Sequence, residues 1–272
     1  MAIEFVGYTT MATAVGNPTQ TFSVTGLQSG ISSTMSQGDL VVVFSGWSSG
    51  ANGDPGVVTP AATEVADLYV SGTNDANMSA AYFFAGASPP TSITVNTFAS
   101  GASASGAIVL VFRGVDATTP LDVTSTTATN NANNDPNPPA ITPVTSGAWV
   151  VIGGLTALGA NLGGFTYPSG YLPVAAQTTT QGSARGMIIG GAYKANVTPG
   201  VSEDPGAFIA TNGGATSTWA AITMALRPAR GFIKRWSGSA WVSEPVKYWN
   251  GSAWTTKPLK RWNGSTWVLT SS

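Results

Sequence analysis

Short apolar runs, separated by clusters of Gly, Pro, Asn and Ser, recur from residue 20 to residue 229. Runs of this kind, rich in β-branched and aromatic residues, are typical of β-strands. They predict strands at 21–25, 40–44, 80–84, 92–98, 108–112, 149–152, 187–189 and 220–226. Since no stretch shows a helical period with caps, we expect an all-β body, a jelly-roll-like β-sandwich. The runs LVVVF and AIVLVF are apolar at every position, which indicates central strands covered on both faces, or strands that combine a core with a subunit contact.

The body also repeats itself loosely. Residues 38–48, 57–65, 78–87 and 105–115 resemble, in the same order, residues 146–156, 165–174, 185–194 and 217–228. A duplicated four-stranded half, with pseudo-repeats at about 38–115 and 146–228, would build one eight-stranded sandwich over residues 1–229. Two separate small sandwiches are the alternative. The linker between the halves, 118–143, contains TTATNNANNDPNPP, which has no core-forming residues, so we expect it to run over the surface.

The end of the chain, 230–272, contains one 13-residue unit three times, as KRWSGSAWVSEPV, KYWNGSAWTTKPL and KRWNGSTWVLTSS. Two Trp five positions apart flank an Asn-Gly or Ser-Gly turn signal in each unit, which predicts three β-hairpins. A four-residue turn would place the two Trp opposite each other, giving the pairs Trp236/Trp241, Trp249/Trp254 and Trp262/Trp267. Because a lone hairpin is marginal in water, we expect the repeats to pack on each other, on the body or on other copies.

Charge is distributed unevenly along the chain. Residues 1–229 carry four basic and eleven acidic side chains, a net charge of −7, whereas residues 230–272 carry seven basic side chains and Glu244, a net charge of +6. A basic, Trp-rich tail on an acidic body fits attraction to anionic polymers or nucleic acid. It equally fits Lys and Arg that keep an aromatic β surface soluble and block edge pairing. The longest mostly apolar run, 148–160, is too short and Gly-rich for membrane insertion.

Catalysis is not expected. The chain has no His and no Cys, which removes the commonest general base and the thiolate metal sites. The acidic residues are scattered and mostly lie in turn sequences, where Asp is favoured for local hydrogen bonding. The oxygen-rich segments 74–77 and 133–137 each bring one carboxylate, so we interpret them as Asx-turns and predict no metal site and no cofactor.

The candidate ligand-binding residues lie in the repeats. Tryptophan side chains can stack on sugar rings, and neighbouring cations can assist. The candidates are Trp236, Trp241, Trp249, Trp254, Trp262, Trp267, Lys247, Lys260 and Arg261. The alternative is that the Trp pairs are the core of the repeats. Trp47 with Tyr69, and Tyr167 with Tyr171, are weaker candidates in the body, and the basic residues form no groove-sized cluster for nucleic acid.

Two parts of the sequence resemble known proteins. The segments starting at GDL, with YFFAGASPP, VFRGVDATTPLDV and MALRPA, resemble a β-sandwich pattern of bacteriophage structural proteins and some bacterial surface proteins. The W-N-G-S-A-W-x-x-K-P repeats resemble those that end many minor tail proteins of tailed phages that infect actinobacteria. The resemblance implies a virion protein in the phage tail or tail tip, a homotrimer that contacts other tail proteins and attaches to the host, with a cell-envelope glycan as the ligand.

Two other functions stay open at this point. A capsid decoration or head spike protein would use the same sandwich to clamp capsomers, and a cell-surface carbohydrate-binding module would bind a glycan without a virion. The trimer expectation is partly physical, because weak hairpins gain stability when three copies wrap a shared axis.

Overall fold

The computed structural model confirms an all-β protein with a β-sandwich body. It describes residues 2–13, 17–97, 104–159, 163–181, 185–211, 217–229, 232–238, 241–257, 260–262 and 266–269. The first half of the body consists of β1 (Glu4–Thr13), β2 (Thr19–Ser23), β3 (Leu40–Ser49), β4 (Val57–Thr59), β5 (Thr63–Val70), β6 (Asp75–Phe84), β7 (Ser92–Asn96) and β8 (Ala104–Arg113). The second half consists of β9 (Thr126–Asn130), β10 (Trp149–Leu158), β11 (Phe165–Thr166), β12 (Leu172–Gln181), β13 (Arg185–Lys194), β14 (Ile209–Ala210) and β15 (Thr218–Leu226). Three hairpins follow, β16 (Phe232–Trp236) with β17 (Trp241–Pro245), β18 (Lys247–Trp249) with β19 (Trp254–Thr256), and β20 (Lys260–Trp262) with β21 (Trp267–Leu269).

Two five-stranded antiparallel sheets form the middle of the body. Large sheet 1 has the strand order β1-β8-β3-β6-β5, and large sheet 2 has the order β12-β13-β10-β15-β9. The three-stranded sheet β2-β7-β4 covers the outer face of large sheet 1, and the short pair β11-β14 covers that of large sheet 2. The body is therefore a stack of four layers with three apolar cores between them.

The two large sheets have the same strand order. Counted from one edge, large sheet 2 reads β9-β15-β10-β13-β12, so β10 takes the position of β3, β15 that of β8, and β13 that of β6. The segments that the sequence aligned, such as 38–48 with 146–156, lie on these equivalent strands. Each large sheet has five strands instead of the four expected for each half, because one edge strand outside the aligned segments joins it, β1 in large sheet 1 and β9 in large sheet 2. The finer assignment to a jelly roll stays a prediction.

Strand β3 shows why its sequence is apolar at every position. Successive side chains of a strand point to opposite faces. Val42 and Phe44 lie in the central core between the two large sheets, whereas Val41 and Val43 lie in the first outer core, under β2-β7-β4. Because both faces are covered by other layers, the strand has no polar side to show.

Four glycines lie where the layers come closest. In large sheet 2, Gly153 pairs with Gly191 and Gly154 pairs with Gly190. A Cβ atom at Gly190 would lie 2.6 Å from the ring of Phe165, and one at Gly153 or Gly154 would lie 2.9 Å from a neighbouring side chain, whereas Gly191 has room for a Cβ. The absence of side chains at Gly153, Gly154 and Gly190 lets the aromatic rings of both adjoining cores pack directly on the sheet.

The predicted surface course of 118–143 is only partly right. This segment contains β9, which pairs with β15 and forms an edge of large sheet 2. Ile141 is buried in the second outer core, and the carboxylate of Asp122 is buried as well. Its Thr and Asn residues carry no apolar signal, so tertiary pairing decides its conformation.

The large sheets face each other with corresponding ends together. Phe112 contacts Trp149 at one end, with ring centroids 6.2 Å apart. At the opposite end, the hydroxyl of Thr218 donates a hydrogen bond to the carbonyl of Asn74. Strand β15 ends beside Trp149, so the chain leaves the body there and the hairpins follow from that end.

Candidate functional site

In the second hairpin, the turn determines where the two Trp side chains lie. Trp249 and Trp254 pair across the strands, which leaves a four-residue loop, as the sequence predicts. The side-chain oxygen of Asn250 accepts hydrogen bonds from the N–H groups of Ser252, at 2.9 Å, and Ala253, at 2.8 Å. Gly251 has φ = 101°, a conformation that favours glycine. The Asn-Gly dipeptide thus fixes the turn, and the turn fixes the position of the two indoles.

Trp249 and Trp254 contact each other and still face solvent. Their ring centroids are 5.8 Å apart, with the ring planes at 60°. Trp249 is 53% exposed and Trp254 is 66% exposed. A cross-strand aromatic pair contributes about 0.2–1 kcal/mol to a hairpin. The pair therefore stabilises the hairpin and leaves most of both indoles accessible to a partner.

The two faces of this hairpin carry different groups. Lys247 and Trp249 are two positions apart on β18, so they share a face, and Lys247 lies opposite Thr256. Tyr248 lies on the other face, where the Lys257 ammonium sits 4.5 Å from the centre of its ring. One face thus presents an exposed Lys and the two indoles, and the other presents a cation–π pair. The sequence reasoning missed Tyr248 and Lys257, although their spacing of nine across a four-residue turn would have placed them together.

The first and third hairpins repeat the same backbone register. Trp236 pairs with Trp241 and Trp262 pairs with Trp267, so all three predicted Trp pairs are confirmed as backbone neighbours. Trp236 is 52% exposed. The side chains of Trp241, Trp262, Trp267, Lys260 and Arg261 lie outside the described residues.

Within the described part of this single chain, the hairpins have no extensive contact with each other or with the body. Each of the six C-terminal strands has its extensive strand contacts with its own hairpin partner. The exposure of Trp236, Trp249 and Trp254 agrees with that arrangement. Packing on other copies stays a prediction.

The aromatic candidates in the body have structural partners. Trp47 is 3% exposed and packs under Gly53 of the following loop. The Tyr69 hydroxyl donates to Asp75, and the Tyr171 hydroxyl donates to Glu203. Burial raises the pKa of Tyr171 above its ordinary value, and the nearby Glu203 carboxylate raises it further. These aromatic residues support loops, so the structure does not favour them as sugar-binding faces.

Several acidic side chains accept local hydrogen bonds. Asp54 accepts the Gly56 N–H, Asp75 accepts the Gly72 N–H, and Asp116 accepts the N–H groups of residues 118 and 119. Others form ion pairs, namely Asp39 with Arg113, Asp122 with Arg227 and Glu203 with Lys194. Among the described residues, no group of three acidic side chains lies close enough to hold a metal ion.

A shallow depression lies at the end of the central core, lined by Ile3, Glu4, Phe5, Ser29, Gly30, Ile31, Trp149 and Tyr193. The Tyr193 ring contacts Phe5 at a centroid distance of 4.7 Å and stacks on Trp149 at 5.3 Å. The Tyr193 ring is therefore half-buried by contacts with its neighbours. The described residues contain no helix that is long and apolar enough to cross a membrane.

Comparisons of the chain with protein families, with characterised proteins and with solved structures give no match.

Proposed function

We propose that the protein is a structural component of a tailed-phage virion, a minor tail or tail-tip protein that attaches to the host surface through its C-terminal hairpins. The observation that carries the proposal is the joint exposure of Trp249 and Trp254 on a well-formed hairpin. A cluster of solvent-exposed aromatic side chains marks an interaction site more often than a single exposed side chain does.

The architecture supports this proposal. The body has three apolar cores, and extensive strand pairing holds its sheets together. The hairpins are therefore attached to a stable domain. The binding element is present three times in sequence, and linked weak sites gain strength from their effective concentration. The resemblance of the W-N-G-S-A-W repeats to the ends of phage minor tail proteins supports a place in the tail.

Assembly belongs to the same proposal. We propose a homo-oligomer of three copies that also contacts other tail proteins, because a trimer would multiply the hairpins presented to a surface. The mass of the purified protein in solution, measured by light scattering, tests this part directly. A monomer at micromolar concentration would contradict it.

The attachment function is tested by binding of the full-length protein to cell envelopes of an actinobacterial host. The double variant Trp249→Ala/Trp254→Ala is compared with Tyr69→Ala, which removes an exposed aromatic residue of the body. We expect the hairpin variant to lose most of its binding at unchanged oligomeric mass, and the body variant to bind as the wild type does. Equal binding by all three proteins would move recognition away from this hairpin.

The position on the particle needs a separate experiment. Gold-labelled antibody against the chain should mark the tail tip of virions in electron micrographs, at a few copies per particle. Labelling spread over the head, at hundreds of copies, would identify a decoration protein instead.

A further inference from the structure

We infer that the ligand of the hairpin face formed by Lys247, Trp249 and Trp254 is an anionic polysaccharide, one whose sugar rings carry carboxylate or phosphate groups. This inference rests on the proposed attachment function and specifies the partner of the same site. It follows from the combination of an exposed cation and two exposed indoles on one face of β18 and β19.

Lys247 has no acidic partner in its own hairpin. Residues 246–257 contain no Asp or Glu, and Thr256 is its cross-strand neighbour. The ion pairs of the described residues all lie in the body. Its own hairpin therefore supplies no carboxylate that would compete with an anion from outside the chain.

The spacing of the cation and the indole suits a charged sugar unit. Two strand residues rise about 6–7 Å, so a sugar ring stacked on Trp249 would hold its charged substituent near Lys247. An indole presents a broad apolar face to the C–H groups of a sugar ring and keeps its N–H for hydrogen bonding. Charge and stacking then act on the same unit of the ligand.

This arrangement recurs along the tail. Lys stands two positions before the first Trp in all three units, as Lys234, Lys247 and Lys260, whereas the position between them changes from Arg to Tyr to Arg. The common element is therefore the Lys with its Trp pair. With a net charge of +6 over residues 230–272, the repeats attract a negatively charged polymer.

The geometry favours sugar over nucleic acid. The two rings stand at 60° to each other, so they do not form a platform of parallel faces for successive stacked bases. A linear polysaccharide has rings that change orientation along the chain, and it can use faces that are tilted relative to each other.

Three polymers separate charge from ring stacking. Full-length protein is titrated with polygalacturonate, which has charged rings, with dextran, which has neutral rings, and with polyglutamate, which has charge and no rings. We expect polygalacturonate to bind most tightly. Its binding should weaken as the salt concentration rises from about 50 to about 500 mM, since screening is strong at the higher concentration. Single-stranded DNA is titrated in parallel. Equal binding of dextran or polyglutamate, tighter binding of single-stranded DNA, or binding of none of the polymers would overturn the inference.

Two matched lysine variants test the face. Lys247→Gln and Lys257→Gln remove the same charge from the same hairpin, but Lys257 lies over Tyr248 on the opposite face. We expect Lys247→Gln to weaken polygalacturonate binding about two- to fivefold at low salt, and Lys257→Gln to leave it unchanged. Trp254→Ala should weaken it about tenfold. Equal loss in the two lysine variants would show that only net charge matters and would overturn the inference.

The outcomes also separate this inference from the proposed function. Polygalacturonate binding without binding to host envelopes would contradict the attachment function and support the ligand class. Envelope binding that neither salt nor excess polygalacturonate reduces would keep attachment and overturn the anionic ligand.

Discussion

Arg113 and Asp39 form a two-pronged ion pair between the last residue of β8 and the residue before β3. The Arg113 Nε donates to Asp39 Oδ1 at 2.8 Å and its Nη2 donates to Oδ2 at 2.9 Å. At the end of β15, the Arg227 Nε donates to Asp122 Oδ1 at 3.1 Å, whereas its Nη2 donates to the backbone carbonyl of Asp122 at 3.0 Å. The position equivalent to Asp39 is Ala148, so the carboxylate of the second half comes from the segment between the halves. Both large sheets thus have an Arg–Asp ion pair at the same end.

Replacing Arg113 with Met should lower the free energy of unfolding by about 2–3 kcal/mol. Asp39 is 1% exposed, so loss of its partner leaves a buried carboxylate without its charged hydrogen bonds. Equilibrium unfolding in urea measures the change. We expect a smaller loss of unfolding free energy than for a fully buried ion pair, because the Arg113 side chain is 32% exposed.

Arg113→Lys is the matched control for this ion pair. Lysine keeps the charge but loses the planar fork that makes two parallel hydrogen bonds. We expect a loss between those of the wild type and Arg113→Met. A Lys variant as stable as the wild type would show that charge alone, without the paired geometry, holds this end of the sheet.

Asp122 should make stability fall in acid. Burial by itself raises the pKa of Asp122, but hydrogen bonds from Thr145, from the Val144 N–H and from Arg227 outweigh it and hold the pKa below the ordinary value of 3.8. A lowered folded-state pKa adds stability above the unfolded value, and this stability is lost as pH falls through the folded pKa. The difference in unfolding free energy between wild type and Asp122→Asn should therefore shrink as pH falls below 3.8. A difference independent of pH would contradict this assignment.

Glu64 should act in the opposite direction. Partial burial raises its pKa above the ordinary value of 4.5, and the negative charges of Asp54 and Asp67 raise it further. A raised carboxyl pKa favours folding below the unfolded value, and this contribution is lost as pH rises through the folded pKa. We expect Glu64→Gln to be more stable than the wild type at pH 7 and equal to it well below pH 4.5. Added salt should reduce the gain, because it screens the repulsion from Asp54 and Asp67.

Two adjacent glycines of β13 should respond differently to replacement by alanine. A Cβ at Gly190 would lie 2.6 Å from the Phe165 ring, whereas a Cβ at Gly191 would lie 3.4 Å or more from its neighbours, an ordinary contact. We expect Gly190→Ala to cost about 1–3 kcal/mol of unfolding free energy through overpacking. Gly191→Ala should be close to neutral, since alanine also restricts the unfolded chain. Equal losses in urea unfolding would contradict this account of the layer spacing.

The central strands were predictable because their own residues indicate burial on both faces. The run LVVVF has no polar position, which requires cover on both faces, and the structure places Val41 and Val42 in different cores. The Trp pairs were predictable for a similar reason, since turn chemistry and a spacing of five fix the register without any tertiary information. Trp249 and Trp254 pair as expected.

The edge strands were not predictable from local pattern. Strand β9 reads TTATN and β12 ends in QTTTQ, and neither alternates between apolar and polar residues. Both become strands because a central neighbour offers unpaired backbone groups, an effect that the sequence of the edge strand does not record. The ion pair of Asp122 with Arg227 was hidden as well, because 105 residues separate the partners.

The exposure of the hairpin indoles predicts two classes of tryptophan fluorescence. Trp47, Trp149 and Trp219 are buried, whereas Trp249 and Trp254 are more than half exposed. Acrylamide should therefore quench one part of the emission readily and leave another part almost unaffected. The double variant Trp249→Ala/Trp254→Ala should lose emission only from the quenchable part. If the emission lost in this variant is instead protected from acrylamide in the wild type, the repeats are packed against another surface in solution. Protection that disappears on dilution would assign that surface to a second copy of the chain, because only packing between copies depends on concentration.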